Sequence, residues 1–188
     1  IEEHYGINFF KNKTVLEIGC GWAAIGNEIS NWGAQVTVSD ARKEHLEEVR
    51  RRYPHLKTHL FDLENSTEWT FPKKHYDVII HFGVLYHLSD PESNLKFMTK
   101  HCEHMILETE VLDSNDPYLV KNIKEETEWD KGSWGMAYSG VGSKPSYAFV
   151  ERVLKESKMV YEEPLNPKKL NAGDHNYDWE RKNTGEMN

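Results

Sequence analysis

The sequence predicts an α/β domain built on a parallel sheet. Three observations carry that prediction. β-rich apolar runs alternate with helical ones, a glycine turn follows the first run, and an aspartate closes the second.

Thr14-Val15-Leu16-Glu17-Ile18 is a nearly continuous apolar run, as in a strand buried on both faces, and it stops at Gly19-Cys20-Gly21. Trp22 to Asn31 reads as a helix, with Ala24, Ile25 and Ile29 at helical spacing and Gly33 placed to end it. Gln35 to Ser39 is a second strand, closed by Asp40. Lys43 to Tyr53 is a charged helix with Leu46, Val49 and Tyr53 on one side, stopped by Pro54. Leu56 to Leu60 is a third strand, followed by Asp62, and Glu64 to Lys74 is mostly loop.

Tyr76 to Ile80 is the fourth strand. Asp90-Pro91-Glu92 opens a helix, with an N-cap acid and a first-turn proline, that runs to about Lys100. Met105-Ile106-Leu107 is the fifth strand, and Ser146 to Ser157 a further helix. Met159 to Glu162 and Tyr177 to Arg181 are read as two late strands. Right-handed crossovers place helices on both faces. The expected architecture is a three-layer α/β/α sandwich of about seven mostly parallel strands, the last antiparallel.

At 188 residues the chain fits one domain, 1–188. Within it, Asp113 to Lys144 lacks clean periodicity and is long for a connection. It carries Tyr118, Trp129, Trp134, Met136 and Tyr138, a content at odds with disorder. Two readings stand: a partly structured lid over the active site, or an insertion packing its aromatics on the core.

No apolar stretch approaches the ~20 residues that span a bilayer, and the first ten residues do not form a signal peptide. Two cysteines, Cys20 and Cys102, suit a reducing cytoplasm, the expected compartment. A formal net charge of -8 argues against a nucleic-acid partner, which selects a basic face. Arg50, Arg51 and Arg52 form a small basic patch that reads more simply as a solvated helix end. His101, Cys102 and His104 lack a second pair at ligand spacing, so no metal site is expected.

Gly19 and Gly21 permit a tight turn and close approach of a ligand to the backbone. Asp40, 21 residues past Gly19, can accept from both hydroxyls of a ribose. Together these are a nucleoside-binding signature. With Ala24 they also satisfy the looser pattern of NAD-dependent oxidoreductases. Three features favour S-adenosylmethionine instead. Glu17 would repel a pyrophosphate but can hold an amino-acid moiety, Asp62 follows the third strand where an adenine amino group can be met, and the fourth strand opens into Gly83-Val84-Leu85-Tyr86-His87-Leu88-Ser89-Asp90-Pro91.

On Val15 to Gly21 the chain resembles the class I methyltransferases, a likeness covering roughly Lys13 to Glu110. The resemblance implies a Rossmann-like fold and S-adenosyl-L-methionine as cofactor, with S-adenosyl-L-homocysteine as product. It places Glu17, Gly19, Cys20 and Gly21 at the methionine part, and Asp40 with Ala41 at the ribose. Asp62 and Leu63 flank the adenine, and His81 and Phe82 line the sulfonium side. Gly83 to His87, Asp90-Pro91, Leu107 to Glu110 and Pro145-Ser146 are similar to the tRNA wobble-uridine carboxymethyltransferases. This chain lacks their large N-terminal RNA-contacting region and is acidic, so the fold and cofactor site carry over and the RNA substrate does not. The matched motifs also hold no obvious Lys or Arg to meet a carboxylated cofactor.

For chemistry, His87 is the candidate general base and Tyr86 the residue that orients substrate. The competing reading has His87 packing or capping the next turn. His81 is a weaker choice for the base. Glu108 and Glu110 share a strand face and could point to substrate. The cluster Asn171, His175, Tyr177, Asp178 and Trp179 reads as an edge strand after a turn, or as a cover for the substrate. The expected acceptor is a small molecule. RNA or protein methylation, hydride transfer with NAD and non-catalytic cofactor binding are the alternatives.

Overall fold

The computed structural model describes residues 1–125, 137–162 and 182–185. Two single-turn helices, α1 (Glu2–Tyr5) and α2 (Ile7–Phe10), lead into β1 (Thr14–Ile18). Then come α3 (Ala24–Asn31), β2 (Gln35–Asp40), α4 (Lys43–Arg52), β3 (Lys57–Leu60) and β4 (Tyr76–Phe82). A 3-10 turn at Leu85–His87 precedes α5 (Pro91–Met98), a second 3-10 turn at Thr99–His101 and β5 (Cys102–Glu108). β6 (Val120–Lys124), β7 (Val141–Pro145) and α6 (Tyr147–Glu156) complete the described elements.

Among the described residues the main sheet is five-stranded and wholly parallel, in the order β3-β2-β1-β4-β5. One apolar cluster joins Val15, Val36, Val38, Val78 and Ile80 to Ile29 of α3 and to Leu46 and Val49 of α4. The other joins Leu16, Ile18 and Ile79 to Leu95 and Met98 of α5 and to Phe149, Val150 and Val153 of α6. Strand residues therefore alternate between two helical layers, the expected sandwich. Each such Val, Leu or Ile contributes about 1.5–3 kcal/mol on full burial. The link from β3 to β4 has no helix. It covers the sheet with rings instead: Phe71 lies 4.5 Å from Phe61 and 4.6 Å from Trp69, and Trp69 stacks on His101 at 3.8 Å.

Among the described residues the strands number seven, five in the main sheet, but the late ones fall elsewhere than expected. Residues 159–162 carry no strand, and 177–181 lie outside the described residues. Two strands that the sequence reading omitted, β6 and β7, pair antiparallel in a sheet of their own. Val120-Lys121-Asn122-Ile123-Lys124 and Val141-Gly142-Ser143-Lys144-Pro145 do not alternate apolar with polar, so their pairing leaves no period-2 signal. The first helix starts at Ala24 rather than Trp22, because Gly21 (φ 49°) and Ala23 (φ 55°) take left-handed conformations. β5 begins three residues earlier than expected and ends at Glu108, which leaves Glu110 beyond the strand.

The ionisable side chains buried in the sheet include Glu17 and His81. Glu17 of β1 is 5% exposed and accepts one hydrogen bond, from Gly26 N–H at 2.9 Å. Burial lifts its pKa to about 8 against that bond, with Asp40 raising it further. His81 of β4 is fully buried, neither ring nitrogen has a hydrogen-bond partner, and burial lowers its pKa to about 4. Stability from a depressed histidine is present above its unfolded pKa of 6.5 and is lost as pH falls toward 4. Stability from a raised glutamate is present below 4.5 and is lost as pH rises toward 8. Between pH 4.5 and 6.5 the two slopes oppose. Urea melts of Glu17→Gln should therefore show stability rising with pH in that window by about 1 kcal/mol per unit, and melts of His81→Leu should show it falling. Slopes of the same sign in both variants would refute this reading of the two groups.

Candidate active site

The chain order runs outward from β1 to β2 and β3, then crosses back to β4 and β5. The turns after β1 and β4 consequently diverge from neighbouring strands at the carboxyl edge, leaving a crevice where ligands bind in such sheets. A cavity of about 290 Å³ lies there, lined by Glu17, Ile18, Gly19, Cys20, Gly21, Trp22, Ala24, Ile25 and Phe82.

Close approaches at Gly19 and Gly26, with open space at Gly21, shape the glycine turn and the helix after it. Gly19 has φ 61°, and a Cβ there would collide with the Val84 side chain. Nothing lies within 4 Å of a Cβ built on Gly21, also at positive φ, so the backbone is open on that side. Gly26 was not singled out by the sequence reading. A Cβ there would collide with the Glu17 carboxylate and come 2.7 Å from Val38, so glycine lets α3 lie close on β1 and β2.

Asp40 is 6% exposed. One carboxylate oxygen accepts from Gly21 N–H at 2.9 Å and lies 3.1 Å from His45 Nδ1; the other accepts from Arg42 N–H at 2.8 Å. Asp40 thus ties the glycine turn to the start of α4, a role beyond the ribose contact read from sequence. Trp22, 45% exposed, leans on the His45 ring at 5.5 Å and lies under the Arg52 guanidinium at 4.8 Å.

Of the cofactor residues read from sequence, Glu17, Gly19, Cys20, Gly21 and Phe82 line this cavity and Asp40 adjoins it through Gly21. Ala41 follows Asp40 in the turn before α4. Asp62 accepts from Glu64 N–H at 3.0 Å and Asn65 Nδ2 at 2.7 Å, Leu63 belongs to the core, and His81 is enclosed. These last three are not among the lining residues. Burial raises the Cys20 thiol above its ordinary range, which keeps it protonated.

The second half of the site is the turn after β4. Gly83 N–H donates to the Glu108 side chain at 2.9 Å. A Cβ on Gly83 would lie 3.6 Å from the Tyr86 hydroxyl and 4.0 Å from a Glu108 carboxylate oxygen, so both groups converge over Gly83. Lys144 of β7 lies 4.3 Å above the Tyr86 ring and pairs with Glu110. His87 Nδ1 is 2.7 Å from Glu125, a residue absent from the sequence reading. Burial lowers the His87 pKa, aided by Lys144 and opposed by Glu125 and Glu110.

The other sequence candidates fall elsewhere. His101 faces the Lys74 carbonyl at 2.8 Å, Cys102 the Met98 carbonyl at 3.7 Å, and the His104 ring packs on Phe9 at 5.6 Å, so these three diverge. Arg51 and Arg52 pair with Glu48 of their own helix, and Arg50 bonds Thr58, which consumes the small basic patch. Tyr118 and Tyr138 are exposed. Trp129, Trp134, Met136 and the cluster Asn171, His175, Tyr177, Asp178 and Trp179 lie outside the described residues.

The donor set suits S-adenosylmethionine. Asp40, buried beside the open backbone at Gly21, favours a cationic nucleoside and disfavours a pyrophosphate, while Glu17, its pKa raised to about 8, is mostly neutral at pH 7 and offers a polar group. A family model described as a methyltransferase domain matches residues 5–157. Protein 235L of Invertebrate iridescent virus 6, assigned as a methyltransferase, is 24% identical over 123 residues, or 63% of this chain and 45% of its own length. The chain thus spans under half of that curated relative. The N-terminal domain of EvdMO1, solved with SAH and D-fucose, matches at TM-score 0.68 and 19% identity, over 81% of this chain and 68% of that one. An S-adenosylmethionine-dependent methyltransferase from Mesorhizobium loti matches at 0.59 and 16%, over 79% and 74%. The 1,6-didemethyltoxoflavin-N1-methyltransferase of Burkholderia thailandensis matches at 0.51 and 11%, over 78% and 60%. By its family model the chain belongs to the methyltransferase domain family, and it shares its fold with these structures.

Proposed function

We propose that this domain methylates an oxygen or nitrogen of a small-molecule acceptor, with His87 as general base. The observation that carries the reading is the seating of Val84 on Gly19. It fixes the turn bearing Tyr86 and His87 against the turn that borders the cofactor cavity. Glu17, Gly19, Cys20, Gly21 and Phe82 would hold the methionine side of the cofactor, and Asp40 and Ala41 the ribose. Asp62 and Leu63 would stand toward the adenine, with His81 as buried support beneath Phe82. The segment 113–144 would close over the acceptor as a lid.

S-adenosyl-L-methionine, when bound, supplies an electrophilic methyl carbon and leaves as the neutral thioether S-adenosyl-L-homocysteine. Tyr86 orients the acceptor, and alignment of this kind is worth ~7–11 kcal/mol. His87 takes the O–H or N–H proton as the acceptor becomes nucleophilic. A lowered histidine pKa keeps the ring neutral at pH 7 and ready to accept. A small acceptor is supported by charge. Glu108, Glu110 and Glu125 surround the turn, Lys144 is paired, and the chain carries a net charge of -8, all unfavourable to a phosphate backbone. The EvdMO1 structure was solved with D-fucose and the Burkholderia thailandensis structure with 1,6-didemethyltoxoflavin, in keeping with this reading.

Calorimetric titration with S-adenosylmethionine, S-adenosylhomocysteine and NADH should give binding of the first two alone. Asp40→Asn should weaken that binding by the ~1.5–3 kcal/mol of a charge-assisted hydrogen bond, and unchanged affinity would remove Asp40 from the cofactor model. Turnover screened over small alcohols, phenols and amines should identify an acceptor. With it, His87→Gln should lower kcat about 10²–10⁴-fold, and full activity in that variant would dismiss His87 as base.

A further inference from the structure

Glu125 follows β6 and is buried, its side chain 3% exposed. One carboxylate oxygen lies 2.7 Å from His87 Nδ1 and accepts from Ala137 N–H at 2.6 Å. The other oxygen is buried and has no hydrogen-bond partner among the described residues. A buried acid with half its carboxylate unsatisfied is costly, and a role in folding alone gives little reason to keep it.

The surroundings are built to deliver this group. β6 and β7 pair through Ile123↔Gly142 and Lys124↔Val141, which sets Glu125 beside β7. A Cβ on Gly142 would collide with the Glu125 carboxylate and come 2.6 Å from the Tyr86 carbonyl oxygen. No positive φ requires glycine there, so the need is steric: β7 touches the Tyr86-His87 turn backbone to backbone. Ser143 Oγ donates to the Leu88 carbonyl at 2.6 Å and fastens the same contact one residue on. The strand pair is thereby clamped onto the 3-10 turn that carries His87.

We infer that Glu125 is a positioning residue, which holds His87 as the Nδ1–H tautomer and presents Nε2 to the acceptor, and that Gly142 is the opening through which the β6–β7 pair brings it there. The inference rests on the reading of His87 as base. In that role a carboxylate on Nδ1 fixes the ring and stabilises the imidazolium formed when Nε2 takes the proton. The charged groups facing His87 are Glu125 after β6, Lys144 on β7 and Glu110 beyond β5. Removing the Glu125 charge leaves Lys144 less opposed, so the His87 pKa should fall.

Long-range ¹H–¹⁵N spectra of the full chain with S-adenosylhomocysteine test this without an acceptor. Wild-type His87 should show Nδ1–H with Nε2 unprotonated. Glu125→Gln keeps an acceptor oxygen, so the tautomer should persist while the pKa drops. Gly142→Ala, which forces the strand pair off the turn, should lose the Nδ1–H signature. With an acceptor in hand, the pH midpoint of kcat should move down in Glu125→Gln, and turnover on the plateau should fall about tenfold for each unit lost. A tautomer, pKa and pH midpoint that ignore Glu125→Gln, in a protein where His87→Gln is inactive, would overturn the positioning role and leave the base intact. Full activity of His87→Gln would instead overturn the base, whatever the spectra show.

Discussion

Val84 stands where a side chain on Gly19 would be, and the geometry of the site depends on that exclusion. β1 and β4 are hydrogen-bonded neighbours, but their turns leave the sheet in different directions because the chain order reverses between them. Ile18 pairs with His81, so the residues that follow start from the same level of the sheet. Gly19 then bends at φ 61° and Gly83 at φ 64°, and Val84 fills the gap between the two turns. An alanine at 19 would force this seam open. The cavity at the glycine turn and the Tyr86-His87 turn are coupled through it, so a shift in one must be felt in the other.

Around that seam the domain manages negative charge with backbone N–H groups more than with cations. Gly26 serves Glu17, Gly21 and Arg42 serve Asp40, Gly83 serves Glu108, and Ala137 serves Glu125. Amide donors stabilise a carboxylate without cancelling its charge, so Asp40, Glu108 and Glu125 keep the site electronegative, while burial outweighs the amide at Glu17 and leaves it mostly neutral at pH 7. Such a surround favours a sulfonium and resists phosphates. The cations among the described residues are largely spent elsewhere. Arg152 and Lys96 bind Glu92 and Glu156 across α5 and α6, and Arg51 and Arg52 bind Glu48.

The parallel sheet was legible because its strands announce themselves locally. Val15, Leu16 and Ile18 in β1, and Val78, Ile79 and Ile80 in β4, face helical layers on both sides and must all be apolar. Asp90 and Ser146 cap α5 and α6 by accepting from Ser93 and Phe149 N–H, as their side-chain chemistry predicts. The glycine turn was legible for the same reason, since two glycines after an apolar run leave few alternatives. Asp62 and Leu63 show the limit of such reading. Position after β3 says nothing of whether a carboxylate will spend itself on the next turn or a leucine sink into the core. Asp62 accepts from Glu64 and Asn65, and Leu63 packs with Phe61 and Phe71.

Glu125 shows why the remaining part of the site was hidden. It sits 38 residues from His87, in a stretch whose sequence has neither period. β6 and β7 are held less by apolar faces than by main-chain pairing, by Gly142 against the Tyr86 carbonyl and by Ser143 on the Leu88 carbonyl. Main-chain contacts of this kind leave a glycine and a serine as their only trace in sequence. The same economy explains the irregularity of the segment. A hydrophobic strand pair would have needed a core of its own. One that leans on the backbone of the Tyr86-His87 turn can stay polar, bring a carboxylate to His87 and a lysine to Tyr86, and leave the sheet beneath it undisturbed.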